Sequence, residues 1–439
     1  MTDSGVTDGG VTNGAVTNAA VTGAAVVGPD GRIVVVGGGV AGLSVAVELR
    51  RLGHVGPVVV LDRGAVLHDR PPLSKSYLRG EVAADELAPY PSQQLLAQGV
   101  QVRTGTVAVS LDPGAPDRPA VVGLADGTAL SADAVVLAEG GRAHRLPVPG
   151  QELALQLRTL DDAQALRPLL RPGRRLVVLG AGLIGAEVAA TAVGLGLDVT
   201  LVDPDPLPLA GVLGPEVARV LVEDHGRHGV RVVVAAAERL EAATGEGPPV
   251  RVRLSDGSTL GADVVLVATG MAPVDDLARA AGLEVAVGGG TLVDRRQRTS
   301  SPRVLAVGDG TRRRRAHGGV AASAGHWDAA RLDGLAAAAA LLGHDVPVRG
   351  APWFWTDRHG RHVEVVGDPV GGSRSIARGV PGTGPFAVLG WRDGVLTGTV
   401  AVDDARTTQA ARRLVDRAVV VDPDELADPA TDLRALARG

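Results

Sequence analysis

The chain contains 439 residues. A single hydrophobic core does not usually extend over so long a chain, so we expect two or three domains. Its formal net charge of −5 gives no general attraction to nucleic acid or to an anionic membrane. The absence of cysteine excludes disulfides, cysteine-ligated iron–sulfur clusters and dithiol redox chemistry. No apolar stretch approaches the roughly 20 residues that span a bilayer, and no leader-like segment is present, which predicts a cytoplasmic protein.

The first 29 residues are a low-complexity segment in which a Val-Thr pair recurs every five residues. A period of five suits neither a helix nor a strand. Because the segment has little bulky apolar surface to offset the entropy lost on ordering, we predict a disordered tail over residues 1–29. An interaction tail is the alternative.

A first β-α-β unit is predicted directly after this tail. Residues 33–36 are a β-branched run typical of a strand buried on both faces. The run continues into Gly37-Gly38-Gly39-Val40-Ala41-Gly42 and then into a helical pattern of apolar residues. A second strand, residues 58–61, ends at Asp62 and closes the unit.

The same order of elements returns far downstream. Residues 176–179 predict a strand, Gly180-Ala181-Gly182-Leu183-Ile184-Gly185 a turn, and a helix follows from Ala186. Residues 199–202 predict a further strand that ends at Asp203.

These two glycine turns are typical of dinucleotide-binding folds. The first glycine allows a tight strand-to-helix turn, the second lets the backbone approach a pyrophosphate, and the third lets the helix pack closely on the strand. The helix N-terminus then offers free N–H groups to the phosphate charge. One such motif is weak evidence in a chain with 61 glycines, but two complete copies are specific. Their order predicts a flavoprotein that binds FAD first and NADH second.

Asp203 bears on which nicotinamide nucleotide is bound. It lies about 20 residues beyond the second turn, where a carboxylate accepts hydrogen bonds from ribose hydroxyls and repels a 2′-phosphate. Pro204, Asp205 and Pro206 follow, with no arginine to hold an extra phosphate. Asp203 therefore favours NADH over NADPH, the alternative being an ordinary strand-end turn aspartate.

Further motifs carry a family resemblance from about residue 31 to the C-terminus. The most specific are Arg70-Pro71-Pro72-Leu73-Ser74-Lys75 and Pro352-Trp353-Phe354-Trp355-Thr356-Asp357. They are joined by Leu157-Arg158-Thr159-Leu160, Ala268-Thr269-Gly270, Val307-Gly308-Asp309 and His326-Trp327. With these motifs the chain resembles the FAD-dependent ferredoxin reductases of bacterial oxygenase systems.

The resemblance places Lys75 near the reactive nitrogen of the flavin, paired with Glu187. Lys75 is the single lysine among 44 basic residues. An ammonium stabilises the negative charge of a reduced flavin, and a guanidinium is not an equivalent point charge. The alternatives are an exposed loop lysine and a solvated helix glutamate.

Other assignments follow from the resemblance. Ala41 is expected near the pyrophosphate, Val107 at the adenine, Arg158 toward the phosphate or ribitol, Asp309 on the ribitol and Trp327 beside the isoalloxazine. The alternative for Trp327 is a core aromatic, and Trp353, Phe354 and Trp355 have the alternative of anchoring the C-terminal domain. The remaining expected cofactor-binding residues are Gly37, Gly39, Gly42, Asp62, Arg63, Arg70, Gly180, Gly182, Leu183, Ile184, Gly185, Asp203 and Gly270.

The chain departs from the family pattern at several positions. Glu139 stands where a threonine is expected, and burying a carboxylate is costly unless it is paired. Arg63 stands where an acid for the FAD ribose is expected, with Asp62 as a possible substitute. Gly325 replaces an acid, and Arg358-His359 replace a glutamine.

Two charged segments allow other interpretations. The run Arg312 to Arg315 could steer an acidic ferredoxin toward the flavin, or could be a solvated loop. His359 and His362 lie close in sequence, but we treat this spacing as coincidence and predict no metal site. No nucleophile motif supports hydrolysis.

We therefore predict an α/β fold with two Rossmann-like domains of the glutathione-reductase type and a C-terminal α+β domain. The expected segments are FAD domain 30–148, NAD domain 149–270, FAD domain 271–345 and C-terminal domain 346–439. The predicted function is transfer of electrons from NADH through FAD to a ferredoxin or rubredoxin that serves a haem-thiolate monooxygenase or Rieske oxygenase. The alternatives are an NADH oxidase or quinone reductase, and a flavin-binding protein with little turnover.

Overall fold

The computed structural model describes residues 25–244, 247–315, 318–323 and 325–438. The predicted disordered tail lies outside these residues over positions 1–24. Positions 25–29 differ from the prediction, because the backbone N–H groups of Val26 and Val27 donate to the Leu341 carbonyl and Val27 is buried. The apolar pair packs at the end of a helix, which gives this stretch a buried contact.

The first part of the chain contains a strand, glycine turn and helix, followed by further strands. Its elements are β1 (Ile33–Val36), α1 (Val40–Arg51), β2 (Val58–Leu61), α2 (Ser76–Arg79), α3 (Ser92–Ala97), β3 (Val100–Arg103), β4 (Ala108–Asp112), β5 (Ala120–Leu124), β6 (Ala129–Ala132), β7 (Ala134–Leu137) and β8 (Gly141–Ala143).

The second part repeats this plan. Its elements are β9 (Leu155–Gln156), α4 (Leu160–Leu166), β10 (Arg175–Leu179), α5 (Leu183–Gly194), β11 (Asp198–Asp203), α6 (Ala210–Leu213), α7 (Pro215–Arg227), β12 (Arg231–Val234), β13 (Ala237–Ala242), β14 (Val250–Leu254), β15 (Thr259–Ala262) and β16 (Val264–Val267).

The chain then returns to the first part before forming its C-terminal region. The returning segment has β17 (Met271–Pro273), α8 (Asp276–Ala280), β18 (Thr291–Val293), β19 (Val304–Ala306), β20 (Thr311–Arg314), β21 (Val320–Ala322) and α9 (Trp327–Leu341). The C-terminal region has β22 (Trp353–Arg358), β23 (Arg361–Gly367), β24 (Arg374–Val380), β25 (Thr383–Arg392), β26 (Val395–Val402), α10 (Ala405–Arg417), α11 (Pro423–Ala427) and α12 (Leu433–Leu436).

Two five-stranded parallel sheets form the body of the molecule. The first has the order β19-β7-β1-β2-β3, so a strand from the returning segment completes it, and the second has the order β12-β11-β10-β16-β9. Strands β1 and β10 are almost entirely β-branched or leucine and are buried, as parallel strands covered on both faces must be. This arrangement confirms the predicted pair of Rossmann-like domains.

A five-stranded antiparallel sheet, β22-β23-β26-β25-β24, with three helices forms the predicted C-terminal α+β domain. The exact boundaries between the expected segments stay predictions. In the described part of the chain, no helix combines the length and apolar character that crossing a membrane requires.

The helix after the first turn is held by close helix packing. α9 lies against α1, and a Cβ added at Gly334 of α9 would stand 2.5 Å from the Ala41 carbonyl oxygen. Only glycine permits that approach. The alanines that follow, Ala336 to Ala340, are buried in the same contact region, which fixes the first turn above its sheet.

Candidate functional site

The first glycine turn is closed on two sides and open on the third. Gly37 has φ +114°, and a Cβ there would lie 2.3 Å from the Ala138 carbonyl oxygen. A Cβ at Gly42 would lie 2.0 Å from the Gly37 carbonyl oxygen, so α1 sits directly on the turn. At Gly39, the N-cap of α1, an added Cβ meets no atom within 4 Å. The free side of Gly39 leaves the helix N-terminus accessible to a ligand.

The second turn repeats this geometry almost atom for atom. Gly180 has φ +104°, and its added Cβ would lie 2.6 Å from the Ala268 carbonyl oxygen. A Cβ at Gly185 would lie 1.9 Å from the Gly180 carbonyl oxygen, while at Gly182 nothing stands within 4 Å. We call the turns with their adjoining cavities the first and second cradles.

An aspartate supports each cradle. Asp62 accepts hydrogen bonds from the backbone N–H groups of Gly38 and Gly64, both at 2.7 Å. Asp203 accepts from Ala181 at 2.7 Å and from Asp205 at 2.9 Å. Each carboxylate therefore ties its glycine turn to the strand end, and each oxygen keeps a second lone pair that a ribose hydroxyl can use.

The first cradle opens on a cavity of about 720 Å³. A smaller cavity of about 120 Å³ adjoins it and is lined by Asp309 and Trp327. Of the expected residues, those lining the larger cavity are Gly37, Gly39, Asp62, Arg63, Arg70, Val107 and Arg158.

The second cradle opens on a cavity of about 590 Å³. Expected residues on its wall are Gly180, Gly182, Leu183, Ile184, Asp203 and Gly270. Arg158 lines this cavity as well as both cavities of the first cradle, so the cradles meet at its side chain. Ala41, Gly42 and Gly185 lie behind the turns: Ala41 is buried, and the two glycines are the close-contact positions described above.

Lys75 and Glu187 come together although they are far apart in sequence, but neither residue lines the cavities of the two cradles. The Lys75 Nζ lies 3.2 Å from Glu187 Oε1 and 3.1 Å from Asp357 Oδ2, and its side chain is 13% exposed. The same ammonium lies 5.9 Å from the ring centroid of Trp355, a cation–π distance. The alternative of an exposed loop lysine is therefore wrong.

Glu187 is buried and fully partnered. Besides Lys75, it accepts hydrogen bonds from Ser74 Oγ at 2.5 Å, from Thr356 Oγ1 at 2.7 Å and from the Asp357 N–H at 3.3 Å. The alternative of a solvated helix residue is wrong. These bonds keep the carboxylate in place as a fixed counter-charge for the lysine.

Arg158 and Asp309 form a second charged pair, and this pair lies where the cavities meet. Arg158 Nη2 donates to Asp309 Oδ2 at 2.5 Å, and its Nε donates to the Gly141 carbonyl at 3.0 Å. Arg70 Nη1 lies 3.7 Å from the same Asp309 oxygen. Both arginines are thus oriented by a buried acid at the cavity edge.

The aromatic residues divide between site and core. Trp327 donates its indole N–H to Asp69, at 2.7 Å from one carboxylate oxygen, and its ring lies 6.3 Å from that of Trp355. Phe354 is buried in the core between α7 and the C-terminal sheet. The tryptophan-rich strand therefore anchors the C-terminal domain and also reaches Lys75.

Four site residues were not assigned from the sequence. Asp69 holds Trp327, Asp357 is the second acid beside Lys75, and Ser74 and Thr356 donate to Glu187. Ser74, Thr356 and Asp357 lie inside the two specific motifs. Their hydroxyl and carboxyl groups next to Lys75 were the available signal.

The departures from the family pattern have distinct surroundings. Arg358 is buried, and its Nε and Nη2 have no hydrogen-bond partner among the described residues. Burial lowers the pKa of Arg358 to about 10. Beside it, His359 Nε2 lies 2.9 Å from His225 Nδ1, and burial lowers the pKa of His225 to about 3. Glu139 lines the first cavity and Gly325 borders the second.

The arginine run, Arg312 to Arg315, and the histidine pair, His359 and His362, can now be located in the fold. Arg312 to Arg314 belong to β20 and not to a loop, and Arg313 and Arg314 pair with Asp333 and Glu284. Arg315 lies beyond the strand, and Arg314 and Arg315 are exposed, so this end of the run is solvated. His362 Nδ1 lies 2.6 Å from Asp357 while His359 faces α7. Among the described residues no group of three candidate side chains is placed to hold a metal ion.

Comparison with known proteins decides the family. Residues 31–330 match the pyridine nucleotide-disulphide oxidoreductase model, and residues 353–437 match the reductase C-terminal model. The chain belongs to the pyridine nucleotide-disulphide oxidoreductase family. With no cysteine, it has no residue for the disulphide chemistry in that family's name.

Individual relatives agree with the expected resemblance. The chain is 34% identical to the benzene 1,2-dioxygenase system ferredoxin–NAD(+) reductase subunit of Pseudomonas putida, over 92% of this chain and 97% of the relative. It is 36% identical to the biphenyl dioxygenase system reductase component of Paraburkholderia xenovorans, over 92% and 98%. A crystal structure of the covalent putidaredoxin reductase–putidaredoxin complex matches with TM-score 0.85 and 32% identity, over 93% and 98%. The predicted resemblance to oxygenase-system ferredoxin reductases is confirmed.

Proposed function

We propose that the protein is an FAD-dependent NADH:ferredoxin reductase that supplies electrons to an oxygenase system and works in the cytoplasm. The observation that carries the proposal is the pair of nucleotide cradles that meet at Arg158. Lys75, held between two acids, follows the Arg70-Pro71 segment that lines the smaller cavity of the first cradle. The names of the relatives, reductases of dioxygenase systems and of putidaredoxin, support the same activity.

The first cradle fits an FAD pyrophosphate by its shape. A side chain at Gly39 would project into open space, whereas Gly37 and Gly42 leave no room for one. The N-terminus of α1 therefore presents unobstructed N–H groups at the edge of the cavity. Asp62 would accept from the adenosine ribose, while Arg70 and Arg158 line the cavity where a phosphate or ribitol oxygen needs donors.

The second cradle fits NADH. Gly182 is as open as Gly39, and Asp203 supplies a carboxylate at the end of β11. The cavity wall contains Arg158 at the junction but no arginine beside Asp203. A carboxylate without a neighbouring cation disfavours the 2′-phosphate of NADPH.

In this proposal, Lys75 and its two acids provide fixed charge beside the flavin. When bound, FAD accepts a hydride from NADH and passes electrons on singly. Lys75 would place a positive charge where negative charge develops, and Glu187 and Asp357 hold the ammonium in position. Trp327, oriented by Asp69, would cover the reacting ring and exclude water.

The experiment is an absorbance spectrum of the purified protein followed by anaerobic titration with NADH. We expect a bound oxidised flavin that NADH bleaches, and reduction of cytochrome c that requires added ferredoxin or rubredoxin. Protein without flavin, or flavin that NADH does not bleach, would refute the proposal. Rapid oxygen or quinone reduction that needs no ferredoxin would instead identify an oxidase.

A further inference from the structure

The two cradles differ at one chemically important position. Ala138-Glu139-Gly140 follows β7 and Ala268-Thr269-Gly270 follows β16, and the two segments pack alike against the glycine turns. The added Cβ of Gly37 would lie 3.3 Å from the Glu139 nitrogen, and that of Gly180 would lie 3.1 Å from the Thr269 nitrogen. The first cradle thus carries a carboxyl group where the second carries a hydroxyl.

Glu139 lies on the wall of the first cavity, which also contains Gly39 and the end of β2. In the described part of the chain, its carboxyl makes no hydrogen bond and no ion pair within 4 Å. A partly buried carboxylate without a partner is costly, so the site favours the protonated acid.

Burial and most of the neighbouring charges also favour the protonated form of Glu139. Burial raises the pKa of Glu139 to about 7, Arg63 opposes this shift, and Asp276 and Asp275 add to it. Arg142 is paired with Asp276 at 2.9 Å and so offers Glu139 little compensation. The other charged or titratable groups lining the cavity are Asp62, His68, Arg70, His144, Arg145, Arg158, Asp161 and Asp162.

We propose that binding of a dinucleotide pyrophosphate in the first cradle takes up a proton at Glu139, so that the protein holds its flavin less tightly as the pH rises above neutrality. This inference rests on the proposed function, because it takes the first cradle as the FAD site. A pyrophosphate at the N-terminus of α1 adds negative charge to the cavity that Glu139 lines, which disfavours the ionised carboxyl further.

The sign of the effect follows from linkage. If the complex binds more protons at Glu139 than the free protein does, affinity falls with rising pH, by up to about tenfold per pH unit above the point where the free carboxyl ionises. Below that point the carboxyl is protonated in both states, and the affinity is independent of this residue's titration.

The test measures FAD affinity of the full-length protein from pH 6 to pH 9, with free FAD separated by ultrafiltration and quantified by absorbance. We expect the wild type to lose about 10-fold to 50-fold in affinity between pH 7 and pH 9. Glu139→Gln and Glu139→Thr should change less than about 3-fold over the same range, and the difference from wild type reports Glu139 alone.

A second variant makes the test reciprocal. Thr269→Glu places the same carboxyl in the second cradle, so NADH affinity should become pH-dependent while FAD affinity of this variant keeps the wild-type profile. Thermal unfolding of each variant at pH 6 verifies that it is folded.

The outcomes are distinguishable. FAD that binds the wild type with a flat profile, or a Glu139→Gln variant that keeps the wild-type slope, would overturn the inference and leave the proposed function standing. A folded protein that binds no FAD at any pH would overturn the proposed function and this inference together.

Discussion

The two cradles share a backbone but differ in the side chains placed on it. In the fifth position after the open glycine, α1 has Ser44 and α5 has Glu187. Ser44 is buried and lies 3.0 Å from the Tyr90 hydroxyl, beneath the contact with α9. Glu187 faces the C-terminal strand β22 and Lys75. The same helix position therefore serves packing in one cradle and charge placement in the other.

This difference shows which parts of a nucleotide cradle are fixed and which are free. The glycines and the supporting aspartates keep nearly identical distances in both copies, because backbone contacts leave no alternative. The positions facing a neighbouring domain diverge, since what they meet is set by that domain. Four sets of substitutions test this division.

The largest effect is expected at the third glycine of each turn. Gly42→Ala and Gly185→Ala force a methyl group to within 2.0 and 1.9 Å of a carbonyl oxygen, so we expect each to cost about 3 kcal/mol of unfolding free energy. Gly39→Ala and Gly182→Ala meet no atom and should cost about 0.5 kcal/mol or less while weakening nucleotide binding. Denaturant unfolding measures the free-energy cost of each of the four substitutions. Strongly unequal costs at Gly42 and Gly185 would break the equivalence of the turns.

The next largest effect is expected for substitution of Lys75. Lys75→Met removes the ammonium between Glu187 and Asp357, and we expect flavin reduction by NADH to slow about 100-fold. Arg79→Met, in a solvent-exposed pair with Glu81, is the matched control and should leave the rate near wild type. Stopped-flow absorbance measures both rates. Equal rates for wild type and Lys75→Met would remove the lysine from the mechanism.

A stabilising change is expected behind the second cradle. Arg358 is a buried guanidinium with two nitrogens that have no hydrogen-bond partner in the described part of the chain, so Arg358→Gln should raise the unfolding free energy by about 1–3 kcal/mol. Arg361→Gln, which removes a partner 2.6 Å from Asp224, should lower it. A destabilised Arg358→Gln protein would mean that the guanidinium has a partner of its own.

The smallest effects separate the two nucleotides. Asp203→Asn should weaken NADH binding about tenfold and narrow its preference over NADPH, with flavin content unchanged. Asp62→Asn should weaken FAD binding by a similar factor and leave NADH binding alone. Titration with each nucleotide measures the dissociation constants. Loss of both nucleotides in either variant would contradict independent cradles.

The sequence was informative where structure depends on neighbours in the chain. Each glycine turn is a local pattern of strand, turn and helix, so both turns and their aspartates could be predicted. The contact of Asp69 with Trp327 joins residues 258 positions apart, and no local pattern specifies it. Asp357 was within a specific motif, but its place beside Lys75 depends on how the C-terminal sheet docks.

Charge runs were the least informative feature. Four consecutive arginines suggested a solvated loop, yet the first three belong to β20 between β18 and β21, and two of them pair with acids on distant segments. Pairing partners in a sheet cannot be inferred from the run itself. The proposal that this segment attracts an acidic ferredoxin stays a prediction.

The solitary lysine also makes the molecule its own chemical reporter. Amine-directed acylation can mark only Lys75 and the N-terminal amine, so one peptide in a mass spectrum reports the accessibility of this lysine. Because that amine is largely enclosed and bound by two acids, its labelling rate follows how often the surrounding elements part. A ligand that covers Lys75 would slow labelling, giving a measure of occupancy that needs no turnover.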